Sequence, residues 1–459
     1  MSKVIKAIII VICVFVLIAG AFLVAAPLTY DVINKRAFVV IPGICNSALL
    51  DTDTDRVVFD PLDTDIHDYC YDDIMGDDMI QMVVNIIAET DIIQQLNDVL
   101  DRKEGNFLDK WAINDDGTSL PNIVHVDWSR DGYTKYGALE ASRVPYDYFK
   151  DNYEFKKNTD LFVFQYDWRL DIDLAATELI ETCEEYDEVV IAAHSMGNVV
   201  TARALAKSAD FRKKVILNLA YAAPYYGSYS ALDILENGRA TIDPLLDMAN
   251  DTVNKNTVLK SIFGSMLTKT ESLCYDVILP MFQKYPGIVQ LLPSINLVCP
   301  DGKNSTLIVN GLPIKTSEQL LAYYQSCDWA YNDDGSMRAW VRDLDDYWNS
   351  FYVDGTFATE LVNTYYFAGD EVDTLTGFKV SGASSSKTFE RTYTQKGDGT
   401  VPYVCASLNE LNMSKTYVFK GLGHVDMGHG FDIGLDEPTK EAYSSIDNPY
   451  KVLLIKIKY

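Results

Sequence analysis

Ser195 stands where an apolar run, Glu188-Val189-Val190-Ile191-Ala192-Ala193-His194, gives way to a helical one, Met196-Gly197-Asn198-Val199-Val200. A serine at such a strand-to-helix corner is held off the sheet with its hydroxyl toward solvent. The N–H of the next residue, Met196, points where an oxyanion would develop. Small residues at Ala193 and Gly197 let strand and helix pass closely, although alanine replaces the first glycine of the usual Gly-x-Ser-x-Gly. The chemistry this suggests is nucleophilic attack by a serine on an acyl carbon.

A serine hydroxyl needs a base, and the base needs a carboxylate to fix its tautomer. Of the five histidines, His67 and His125 precede the serine, His194 adjoins it, and His424 and His429 follow. The order serine, acid, histidine favours the late pair. His424 directly follows an apolar run, and His429 is the alternative. For the acid, Asp398 sits between Gly397 and Gly399, while Asp370 after Tyr365–Ala368 competes; either residue can also be a plain turn former. A second oxyanion donor is expected from Ile41-Pro42-Gly43-Ile44, where proline fixes one φ, glycine permits a reversal and the Ile44 N–H is left facing the nucleophile. The eight cysteines show no Cys-x2-Cys pairing, so no zinc site is expected, and serine chemistry of this kind needs no metal or other cofactor. Cys274, Cys299 and Cys327 share one loop-rich region and suggest a local disulfide.

The elements that must hold these residues are short apolar runs, each followed by a turn or helix: Ala37–Ile41, Leu161–Phe164, Glu188–Ala192, Val215–Tyr221, Tyr365–Ala368 and Thr416–Phe419. Their rhythm predicts an α/β-hydrolase fold, a mostly parallel sheet with helices on both faces, whose chemistry gathers at the carboxyl ends of the strands. Pro42-Gly43, Ser195, Pro224, Gly369-Asp370 and Gly423-His424 all fall there. The core is expected over 27–50, 112–228 and 351–459. Residues 51–111 form a cap or membrane-facing insertion, in which Met79–Leu100 carries a wide apolar helical face, and 229–350 form a lid without a trustworthy strand pattern. No internal repeat or low-complexity block is apparent. Tyr166-Asp167-Trp168-Arg169 is expected to be an ion-paired loop beneath the site.

A net charge of −27, from 39 Lys and Arg against 66 Asp and Glu, argues against nucleic acid as a partner. It also disfavours simple electrostatic attachment to anionic lipid at neutral pH and fits a lysosome-like lumen or a secreted setting. Residues 1–26 open with Lys3 and Lys6 and then run uncharged from Ala7 to Ala26, which predicts a signal peptide or a retained membrane anchor. Asn250, Asn304 and Asn412 head glycosylation sequons in that setting.

These pieces resemble the lecithin:cholesterol acyltransferase family, in its lysosomal phospholipase A2 branch. The matching motifs are Val40-Ile41-Pro42-Gly43, Tyr166-Asp167-Trp168-Arg169, Ala193-His194-Ser195-Met196-Gly197-Asn198, Ala223-Pro224-Tyr225-Tyr226-Gly227, Gly397-Asp398-Gly399-Thr400-Val401-Pro402 and His424-Val425-Asp426-Met427, in family order. The resemblance implies a Ser195, Asp398, His424 triad and an oxyanion hole from the N–H groups of Ile44 and Met196. It also implies a phospholipid ester as acyl donor, water or a lipid alcohol as acceptor, and transient work at a membrane or lipoprotein surface. The chain departs from the family where Cys70 lacks a partner at the matching interval, where no tryptophan precedes Lys110, and where Tyr225-Tyr226 replaces Trp-Gly. A neutral-lipid lipase or carboxylesterase, and a catalytically inactive lipid-binding glycoprotein, are the competing readings.

Overall fold

The computed structural model describes residues 35–54, 56–59, 107–125, 146, 159–236, 238, 279–382, 387–411 and 413–428. The 1–26 leader, the Met79–Leu100 face, Cys13, Cys70, Cys274, His67, His429 and the asparagines of two sequons, Asn250 and Asn412, lie outside the described residues. Among the described residues no helix is long and apolar enough to cross a membrane.

Six strands form one sheet: β1 Arg36–Ile41, β2 Thr159–Val163, β3 Glu188–His194, β4 Val215–Tyr221, β5 Thr364–Asp370 and β6 Thr416–Lys420. They lie in the order β6-β5-β4-β3-β1-β2, and every neighbouring pair is parallel. Five strands contain one of the apolar runs whole, and β2 holds all of Leu161–Phe164 but its last residue. The near-continuous Val, Ile, Leu and Ala content of β3 and β4 is what a parallel sheet buried on both faces requires, whereas β5 and β6 toward one edge carry Tyr and Phe instead. Alternation sorts the side chains between those faces. Ala37, Val39, Ile41, Val189, Ile191 and Ala193 enter one core cluster, and Phe38, Val40, Val190 and Ala192 enter the other. Helices α1, Ile172–Thr182, and α2, Met196–Lys207, bury Leu179, Val200 and Leu205 in the first cluster. Met427, from the short helix His424–Gly428, enters the second.

The chain runs from β1 out to β2 and returns to β3 on the other side of β1, so strand order reverses between β1 and β3. At such a reversal the two following connections leave in opposite directions and open a crevice at the carboxyl ends. Register brings Ile41 opposite Ala193 there. The loop after β1 and the corner after β3 therefore share one crevice.

Three smaller sheets flank this frame. Leu49–Asp51 pairs antiparallel with Arg56–Phe59 and with Ile123–His125. Leu307–Val309 runs parallel to Thr374–Ser381, which is antiparallel to Thr388–Thr394. The remaining pair, Tyr352–Val353 and Thr356–Phe357, is a small hairpin. Residues 279–350 otherwise form short helices and the turns between them, from which Tyr285, Leu292, Leu320 and Tyr324 enter the same core cluster as the β1 and β3 side chains.

Two expectations are corrected. Cys299 and Cys327 carry free thiols, so neither belongs to a disulfide. Their region is closed instead by apolar packing around Tyr324 and Leu297. The chain also repeats itself: Trp111-Ala112-Ile113-Asn114-Asp115-Asp116-Gly117-Thr118 recurs as Trp329-Ala330-Tyr331-Asn332-Asp333-Asp334-Gly335-Ser336. Each copy makes the same turn. Asn114 N–H donates to the Thr118 carbonyl at 2.9 Å and Asn332 N–H to the Ser336 carbonyl at 2.8 Å. Asp116 and Asp334 each accept from the N–H two residues on, and glycine supplies the positive φ in both.

Candidate active site

Ser195 occupies the corner between β3 and α2 with φ 51° and ψ −126°. A non-glycine residue held there is strained, and the surroundings must impose it. Gly197 is one cause, since a Cβ on it would lie 2.6 Å from the carbonyl oxygens of Ile41 and Pro42. The start of α2 is thus pressed against the end of β1. Asn198 is another. Its buried side-chain amide donates to the carbonyls of Ala193 at 3.0 Å, Ser195 at 3.3 Å and Tyr221 at 2.8 Å, tying the corner to β4. Ser195 N–H donates to the Tyr221 carbonyl at 3.0 Å. In the sequence Asn198 stands out only as the third residue of a helix that opens on a turn, a place from which a side-chain amide can reach back to the carbonyls before it.

His424 begins the short helix after β6. Its Nε2 lies 2.9 Å from Ser195 Oγ and its Nδ1 2.8 Å from Asp398 Oδ2. A carboxylate only accepts, so Nδ1 carries the proton and Nε2 is left to receive one from the hydroxyl. The structure therefore brings Ser195, His424 and Asp398 together in series. His194 packs beside this line, its ring 4.9 Å from that of His424. Its Nε2–H donates to the His424 carbonyl at 2.9 Å. His125 is elsewhere, paired with Glu178 at 3.1 Å.

Asp398 is almost wholly buried. Its loop is held by an isolated parallel bridge to Val372, just beyond β5, and by three glycines. A Cβ at Gly369 would sit 2.5 Å from the Asp398 Cβ, and one at Gly397 would sit 2.4 Å from Thr374 Oγ1. Gly399 adopts φ 98° and donates its N–H to Thr374 Oγ1 at 2.8 Å. Asp398 Oδ1 accepts the N–H groups of Thr400 at 3.0 Å and Val401 at 2.7 Å. Burial alone would raise this carboxyl's pKa. The charge and hydrogen bond of His424 and the two N–H groups outweigh it and hold the carboxyl below the ordinary range. Asp370, the competing acid, takes a turn role instead: its carboxylate accepts the Glu371 N–H at 3.0 Å.

On the other side of the serine, a Cβ at Gly43 would lie 3.0 Å from Ser195 Cβ and 3.5 Å from its Oγ. Ile44 follows in a turn completed by Cys45 at φ 60°. Met196 is the first residue of α2, where N–H groups lack intrahelical partners and the helix dipole is positive. Tyr166 steadies the β1 loop, donating its hydroxyl to the Pro42 carbonyl at 2.9 Å and its N–H to Ser47 Oγ at 3.2 Å.

Arg169 is fully buried. It grips Asp167 with Nε at 2.9 Å and Nη2 at 2.6 Å, and donates to the Trp111 carbonyl at 2.9 Å and Ser119 Oγ at 2.8 Å. This ion pair fastens the first copy of the repeated turn to the loop after β2. Replacing Arg169 by methionine leaves the Asp167 carboxylate buried without its counter-ion, and the loss expected is about 3–5 kcal/mol of folding stability. Urea unfolding of the variant measures it; a change under about 1 kcal/mol would show that the pair carries no such weight.

A family model described as lecithin:cholesterol acyltransferase matches residues 150–350, a span that holds Ser195 and Tyr166–Arg169 but ends before Asp398 and His424. Among solved structures, a chain of "The crystal structure of Tle4-Tli4 complex" is similar over 86% of this chain and 96% of that one, at 12% identity and a TM-score of 0.48. No curated protein matches. The family match supports a relationship of this chain to the lecithin:cholesterol acyltransferases, enzymes that move acyl groups between lipids.

Proposed function

We propose that this chain is a serine-dependent lipid acyl hydrolase and transacylase. The observation that carries the reading is one imidazole hydrogen-bonded at both nitrogens, to a strained serine 229 residues away in sequence and to a carboxylate 26 residues away. In this reading Ser195 attacks the ester carbonyl of a glycerophospholipid while His424 takes its proton. The N–H groups of Met196 and Ile44 hold the oxyanion. His424 then returns the proton to the departing lysolipid oxygen, leaving an acyl-serine, and deprotonates water or a lipid alcohol that takes the acyl group. Asp398 keeps the imidazole in the tautomer that accepts from serine. The run Ala193-His194-Ser195-Met196-Gly197-Asn198 favours the lysosomal phospholipase A2 branch.

The test is to incubate the protein with a fluorophosphonate probe, and separately with phosphatidylcholine liposomes with and without a long-chain alcohol, at acidic and neutral pH. Covalent labelling at Ser195, release of fatty acid and lysolipid, and acylation of the alcohol are expected. A protein that resists the probe is an inactive lipid binder. One that cleaves triacylglycerol or a short ester but spares phosphatidylcholine is a lipase or esterase of another kind.

A further inference from the structure

Three buried groups that serve neither the sheet nor the Ser195 site meet near the edge of the strand Thr388–Thr394. Lys387 Nζ lies 3.2 Å from Cys327 Sγ and 3.0 Å from Glu236 Oε2. The Cys327 thiol faces Glu236 Oε1 at 3.2 Å, and the Tyr323 hydroxyl donates to the same oxygen. Cys327 is 1% exposed, while the side chains of Glu236 and Lys387 are 4% and 14% exposed. The residues come from three separate elements: the end of the helix Tyr229–Glu236, the turn after the helix Ser317–Gln325, and the residue leading into Thr388–Thr394.

A lysine and a glutamate suffice for a buried ion pair. A thiol wedged between them, accepting from the ammonium and donating to the carboxylate, adds a nucleophile within bonding approach of an amine. Burial pushes the Cys327 thiol up, so it reacts only with a base at hand, and Glu236 is placed to be that base. The lysine side chain reaches the surface and marks the path by which a molecule as small as a peroxide arrives.

We propose that Cys327 and Lys387 form a reversible covalent nitrogen–sulfur cross-link, a sulfenamide, when the protein meets hydrogen peroxide. Cys327 sulfur attacks one peroxide oxygen and the O–O bond breaks. The thiol proton passes through Glu236 to the departing hydroxide, giving a sulfenic acid and one water. Lys387, having lost its extra proton to Glu236, attacks the sulfenyl sulfur. The S–O bond breaks and a second water leaves with one amine hydrogen. Sulfur is oxidised by two electrons, the peroxide is reduced to water, and thiol, amine and one peroxide yield the sulfenamide and two waters. The product removes the ammonium that Glu236 now pairs with and staples residue 327 to residue 387.

The experiment is intact-mass and peptide mapping of the full chain before and after brief hydrogen peroxide treatment, then after dithiothreitol. The expected result is a loss of about 2 Da, a linked peptide pair containing Cys327 and Lys387, and return of the original mass on reduction. Lys387→Arg, which keeps a cation beside Glu236, is expected to abolish the link and leave Cys327 carrying added oxygen. Recovery of Cys327 and Lys387 in separate peptides from the treated native chain overturns the proposal. So does an undiminished loss of about 2 Da in Lys387→Arg, because two cysteines joining also lose two hydrogens.

Discussion

Ser195→Ala is expected to lower kcat toward a phospholipid ester by at least about 10³-fold while leaving KM close to that of the native enzyme. In the proposed mechanism the hydroxyl is the group that bonds to the acyl carbon, and it contributes little to holding the ground-state lipid. The residue is buried and its φ of 51° is imposed by Gly197 and Asn198, not by the hydroxyl, so alanine inherits the same backbone and the fold survives. Circular dichroism and thermal unfolding check that, and single-turnover kinetics with a chromogenic ester check the rate. The residual activity reports what the oxyanion donors and substrate binding do without covalent catalysis. A variant that keeps more than about a tenth of the native rate places the nucleophile elsewhere.

The parts of the fold legible in the sequence were those where one physical requirement dominates. A strand buried on both faces must be largely apolar, so Val215–Tyr221, despite its buried Asn218, and the Val189–Ala193 stretch of Glu188–His194 announce themselves without partners or turns. The strand Thr374–Ser381 does not show as an apolar run because Thr374, Thr376, Gly377 and Lys379 interrupt it although most of it is buried, and Thr388–Thr394 does not because one face meets water. Thr388, Glu390 and Thr392 are exposed, and the alternation with Phe389 and Arg391 is that of any solvated segment. Leu307–Val309 is too short for any period to show, and its place is set by pairing with Phe378–Val380 far along the chain. The repeated Trp-Ala-x-Asn-Asp-Asp-Gly turn is hidden by its setting, since the first copy straddles the boundary between the 51–111 insertion and the core and the second lies 218 residues on, inside the lid segment.

At the site, residue type and order singled out Ser195 and His424. The choice of Asp398 over Asp370 rested on resemblance, and its physical ground is tertiary. Asp370 ends β5 and bends back on its own neighbour, whereas Gly369 just before it clears the space into which the Asp398 loop descends. Nothing local to Asp398 reveals a glycine 29 positions earlier as its seat. The same holds for Tyr166, whose hydroxyl steadies a carbonyl in the loop after β1.

Asp398→Asn is expected to lower kcat by about 10⁴-fold near neutral pH, and the structure says why an isosteric amide is so poor a substitute. The N–H groups of Thr400 and Val401 converge on Oδ1, so the asparagine oxygen turns to them and its NH₂ faces His424 Nδ1. That nitrogen must then accept, the ring proton moves to Nε2, and the base can no longer take the serine proton. Asp370→Asn, by contrast, keeps an oxygen that can accept the Glu371 N–H and is expected to stay within about threefold of the native rate. The same contacts fix the sign of the pH dependence. Asp398 is held below the ordinary carboxylate value of 3.8, so its contribution to stability and to imidazole orientation is present above that value. It disappears only as pH falls through the lower, folded pKa. The acid limb of the native kcat/KM profile should therefore belong to a group other than Asp398. A variant that retains native kcat, or an Asp370→Asn loss larger than that of Asp398→Asn, would transfer the acid's role to the residue at the end of β5.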